Sequence, residues 1–203
     1  MKNIFFLFIL IFSVDLKSQS VTIDIIKSGF GENSNYYRKD LNNLLNPFEG
    51  SYIYTNGTST FKIVLKKMIK QPVDSHYEDI IIGEYQYMEN GIEKANTLSN
   101  LNIIYSDQFL KHGIAGNRVI SKTNSRLWIC TQCNTNEKRI GLNIRDISTN
   151  RYADILMRRT VINGQQVMQV KIYNVNTVSY NVDTESPPAD FSLPLGEFIM
   201  IKQ

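Results

Sequence analysis

The sequence predicts an all-β fold, an antiparallel barrel or barrel-like sandwich of about eight to ten strands. Three observations carry that prediction. Apolar and polar residues alternate, as where Phe61, Ile63 and Leu65 share one face of a run and Lys62, Val64 and Lys66 share the other. Successive strand side chains point to opposite faces, so this pattern marks strands with one buried side. Asn-Gly pairs stand at 56–57, 90–91 and 163–164 between such runs, and both residue types tolerate the positive φ of a tight hairpin turn. Most connections are short, which makes neighbours antiparallel, since parallel pairing needs a crossover of a dozen or more residues.

Taken in order, residues 1–18 read as a secretory signal peptide: Lys2, an apolar run from Ile4 to Val14, then a small polar stretch at Ser18 to Ser20. That run is well short of the ~20 residues a membrane-spanning helix needs. Residues 19–203 then form a single domain, secreted or periplasmic. Val21 to Lys27 suggests a short strand. The spacing of Tyr37, Leu41, Leu44 and Leu45 predicts a short helix over Asn35–Leu45, ended by Pro47. Strands follow near 50–55, 58–67, 78–88, 92–98 or 101–106, 126–130, 138–146, 152–162, 165–174 and 196–201. Ser106–Ser125 and Asn181–Leu195 are the long irregular stretches, either of which could cover an opening. Tyr77-x-Asp79-Ile80 and Tyr152-x-Asp154-Ile155 each precede a strand and an Asn-Gly turn, suggesting two related four-stranded meanders.

The formal charge of +3 falls to +2 when Lys2, Lys17 and Asp15 leave with the leader. Basic residues are scattered, the doublets Lys66-Lys67 and Arg158-Arg159 among them, which gives no footprint for nucleic acid. The mature chain is long enough to bury a real core without a metal.

Cys130-Thr-Gln-Cys133 could be half a zinc site, a redox pair or a structural disulfide. Zinc wants four ligands, and His76 and His112 supply no second pair at metal spacing. A redox pair wants a helix after the first Cys, where Asn134-Thr-Asn136 stands instead. A disulfide fits an oxidising compartment and predicts a tight turn, because residues three apart in a straight strand lie too far apart to bridge. Asp74-Ser-His-Tyr-Glu-Asp79 reads as a polar loop leading into a strand. No catalytic set, metal or cofactor is expected. Two features suggest ligand contacts. Tyr85 and Tyr87 share a face with Ile81 and Gly83. Arg158 and Arg159 are adjacent in a strand: if that strand is central, one points inward and needs a buried carboxylate or an anionic ligand, whereas near a strand end both would reach water.

At Phe48-Glu-Gly50-Ser-Tyr52 a lead-in ends and a meander begins, which resembles the start of lipocalin-type barrels, with Tyr52 where those have Trp. The leader ending LKSQ, the stretches PFEGSYIY and YEDIIIGEYQYMENG, and the tail from Phe191 to Gln203 resemble an uncharacterised group of small secreted Bacteroidota proteins. The resemblance implies compartment and fold and no activity. The functional expectation is binding rather than catalysis: a small, partly apolar ligand inside the barrel, contacted by Tyr85, Tyr87, Arg158 and Arg159. The alternatives are a module that engages an envelope protein or glycan through sheet edges and loops, and an enzyme with an unrecognised site.

Overall fold

The computed structural model describes residues 21–27, 36–121, 125–181 and 184–203. The leader expected over residues 1–18 lies outside the described residues. The strands are β1 (Val21–Asp24), β2 (Tyr36–Lys39), β3 (Gly50–Asn56), β4 (Ser59–Val73), β5 (His76–Glu89), β6 (Ile92–Asn96), β7 (Ile114–Ile120), β8 (Arg139–Asp146), β9 (Arg151–Ile162), β10 (Gln165–Tyr173) and β11 (Gly196–Lys202). Eight of them close an antiparallel barrel in the order β5-β4-β3-β11-β10-β9-β8-β7, with β7 pairing back onto β5. The predicted fold class is thus the observed one. The other three strands are additions: β6 extends β5 at one end of the barrel, and β1 and β2 add to it in parallel at the other.

Local chemistry sets the hairpins. Asn90-Gly91 and Asn163-Gly164 are two-residue turns with positive φ at both positions, 52° and 77° in the first, 51° and 79° in the second. This backbone twist matches that of the flanking strands. At the first hairpin the turn lies one residue later than expected. Asn56 pairs with Ser59, so Gly57 (φ 58°) and Thr58 occupy the bend. The echoed Tyr-x-Asp-Ile segments share turn chemistry but not facing: Ile155 belongs to the barrel core, whereas Ile80 lies on the other side of its sheet.

Three elements differ from the sequence reading. The helix expected over Asn35–Leu45 is replaced by strand β2 and a 3-10 turn at Asn46–Phe48. Tyr37 is buried, but Leu41, assigned to the apolar helix face, is exposed. Asp40 accepts the Leu44 and Leu45 N–H groups, giving the backbone an alternative to helical bonds. Strand β7 runs through the stretch read as irregular, after a short helix α1 (Gln108–Lys111). Gly116, at φ 149°, lies in a register break of β7 and hides the alternation. The strand expected near 126–130 is a loop, closed by the Cys130–Cys133 disulfide, whose Cα atoms are 5.4 Å apart. The turn that the disulfide required is present, with Cys133 N–H donating to Cys130 O. Trp128 from this loop packs with Ile120 and Leu156 outside the barrel.

Inward side chains fill the barrel. Phe61, Ile63, Tyr85, Ile140, Ile155 and Val170 are wholly buried and belong to one cluster. Gly83 is the narrow point, since a Cβ there would lie 2.6 Å from Leu65 Cδ2. Leu45 and Phe48 plug one end, where β2 lies. Leu193, with Phe191 and Val175 partly buried, packs on the core from the loop before β11.

That second closure is fastened by Asp146, which is fully buried and accepts hydrogen bonds from Ser192 N–H (2.6 Å), Thr149 Oγ1 (2.8 Å) and Ser148 N–H (2.9 Å). Burial pushes its carboxyl up, but these bonds outweigh burial and hold it below the ordinary value. A depressed carboxylate lends stability that is complete above its unfolded value, about 4, and is lost as pH falls through the folded one. Wild-type protein should therefore lose stability below pH ~4 more steeply than Asp146→Asn, measured by urea unfolding at neutral and acid pH. Identical acid limbs would count against this role.

Candidate functional site

The tyrosines expected to contact a ligand lie inside this filled core. Tyr85 donates to Arg145 O (2.7 Å) and accepts from Ile147 N–H (3.1 Å), fastening the β8–β9 turn from within. Burial pushes its phenol up, as it does that of Tyr87, whose hydroxyl donates to Glu89 Oε1.

The two arginines separate as strand geometry requires. Arg158 faces outward opposite Gln169 and is buried against Glu137, which takes both Nε and Nη2. Arg159 is the inward one. It lies opposite the fully buried Met168, but near the barrel's end, where its side chain reaches partly into solvent. Its one side-chain hydrogen bond among the described residues goes to Gln166 Oε1, at 3.3 Å.

Beside Arg159 opens a cleft of about 320 Å³, lined also by Asn42, Asn43, Leu44, Pro47, Phe48, Glu137 and Lys138. One wall belongs to the plug. Asp40 holds that segment in place by accepting the Leu44 and Leu45 N–H groups and Lys67 Nζ (2.8 Å). Lys67 also donates to Asn46 Oδ1, and its N–H to Glu49 Oε1. The other wall is the end of β9 and the residues leading into β8. Tyr52 stands just inside, its hydroxyl donating to Phe48 O and Glu49 O. Burial raises its phenol to about 12 even though nearby Arg159 opposes the shift. Lys202 Nζ lies 5.9 Å from the centre of the same ring.

Further polar groups are buried elsewhere. Asp79 accepts from Tyr37 Oη, Lys70 N–H and Asp40 N–H. Glu78 takes Arg38, His76 and Asn117. The acidic cluster read as a polar loop is therefore, at its end, a buried fastening for β2. His112 lies between Glu84 Oε1 (2.7 Å) and Gln108 Oε1 (2.6 Å), with no exposed side-chain surface. Its ring is closed to any substrate in this conformation. Among the described residues, no group of three or more His, Cys, Asp or Glu side chains could hold a metal ion. A larger hollow, about 470 Å³, lies along Arg118–Ser121 and Ser125–Leu127.

Of the sequence-derived candidates only Arg159 lines the cleft. Its partners come from chain segments near 42–48 and 137–138, and no local spacing signals their meeting. The model of a family of unknown function, DUF6705, matches residues 1–203. The chain belongs to that family. Comparison with curated proteins and with solved structures returns no significant match. For this DUF6705 member the site itself must therefore carry any functional argument. No helix among its described residues is long and apolar enough to cross a membrane.

Proposed function

We propose that this DUF6705 chain is an exported, non-enzymatic binding protein that holds a small, partly apolar ligand at the end of its barrel rather than within it. The observation that carries this reading is the contrast between a filled interior and an open cleft with an apolar wall, Leu44, Pro47 and Phe48, facing Arg159. Ligand sites are typically concave and mostly apolar, with a few polar groups to fix orientation, and 320 Å³ is at the small end of their size range. The apparent leader and the disulfide support export.

Native mass spectrometry of protein secreted by its own host should show a co-purifying small molecule. Titration with 1-octanol or octanoate should shift the backbone amide resonances of Leu44, Phe48 and Arg159. A bare protein with no shift at these residues would sink the reading.

A further inference from the structure

We propose that the cleft selects an anionic head group, so that its ligand is an amphiphile with one negative group and a short apolar tail. This rests on the reading that the cleft is the binding site. The cleft carries positive charge that no carboxylate of the described residues pairs. Arg38, Arg118, Arg151 and Arg158 each have a carboxylate within ion-pair range, at 2.8, 3.2, 3.8 and 2.5 Å respectively. Arg159 and Lys138, which line the cleft, have none among the described residues. The neighbouring acids are engaged elsewhere. Glu137 is held by Arg158 on its far side, and Asp40 is held by Lys67. Glu137 lines the cleft too, but Arg158 engages both its carboxylate oxygens, so the balance of charge along the lining is positive, and a concave site of one net sign draws in ions of the other.

Geometry also favours an arginine for the head. A guanidinium presents its donors as a fork that fits two oxygens of a carboxylate, or of a sulfate or phosphate ester. Gln166, the present partner of Arg159, is exposed and can turn away at little cost. The apolar tail then lies on Leu44 and Pro47, both partly exposed, above the buried Phe48.

The test is calorimetric titration of the purified protein with octanoate, octyl sulfate and 1-octanol at low salt, on wild type and on Arg159→Gln, Arg159→Lys and Lys138→Gln. At least one anion should bind about tenfold or more tightly than 1-octanol, the worth of one or two charge-assisted hydrogen bonds. Which anion binds better separates a carboxylate from an ester head. The preference should shrink with added salt and with Arg159→Gln, while Arg159→Lys keeps part of it. Lys138→Gln, a change on a loop residue, guards against misreading a folding defect. Equal binding of octanol and both anions would overturn this inference while leaving the cleft as the site. Failure of all three to bind would overturn both.

Discussion

Phe61→Ala is expected to lower the stability of the barrel by about 3–5 kcal/mol, the range for large aromatic truncations in cores that cannot collapse around the space left. Phe61 has no exposed surface. Its ring lies 5.8 Å from that of Tyr85, 6.0 Å from Tyr87 and 6.3 Å from Phe198, centroid to centroid. The position matters because of a weak seam in the wall. Strands β3 and β11 pair only through Ile53–Ile201 and Tyr52–Lys202, with Gln203 N–H reaching Ser51 O just beyond. Farther along, the strands are joined by side chains, with the Tyr54 and Phe198 rings 4.6 Å apart. Phe61 sits beside Tyr54 in the register and against Phe198, so its loss removes the backing of that join. Urea unfolding of Phe61→Ala against Ile104→Ala, a truncation at a site 74% exposed, measures the effect. A difference below about 1 kcal/mol would show that the interior repacks freely.

The barrel was legible because its signals are short-range. Alternation of period two, Asn-Gly pairs and short connections identify β3, β4, β5, β8, β9, β10 and β11, and the same alternation foretold that one of Arg158 and Arg159 faces inward. The disulfide was legible for the same reason, since residues 130–133 bridge only across a local turn. What was hidden depends on distant partners. Four residues, Tyr36–Lys39, carry too little alternation to outweigh the helical spacing of Tyr37, Leu41, Leu44 and Leu45. They form a strand because β5 offers an edge at Tyr77 and Glu78. Strand β7 was masked by Gly116 and Asn117, and the cleft by assembly from segments almost a hundred residues apart in the chain. The acidic cluster at 74–79 has the composition of a loop. Its last two members are buried because β2 and the plug close over them.

Asp79 shows the consequence, and Asp79→Ala is expected to cost about 3 kcal/mol or more, in the range for removing one partner from a buried charged network. The carboxylate is 2% exposed and serves three donors: Tyr37 Oη at 2.5 Å, Lys70 N–H at 2.9 Å and Asp40 N–H at 3.0 Å. Each belongs to a different piece. Tyr37 is in β2, Lys70 marks the register break of β4 with φ 51°, and Asp40 begins the plug. Burial, and after it the bond to Asp79, pushes the Tyr37 phenol up, so this hydroxyl stays protonated and remains a donor. Alanine leaves all three donors without their acceptor and loosens Asp40, which itself holds Leu44, Leu45 and Lys67. The loss should therefore extend beyond global stability to the cleft. Backbone amides of Leu44 and Leu45 should lose hydrogen-exchange protection in Asp79→Ala by more than those of Val170 and Ile172 on β10, the strand opposite β5 in the barrel. Uniform loss of protection at all four would mean that Asp79 supports the barrel as a whole and does not specifically hold the plug.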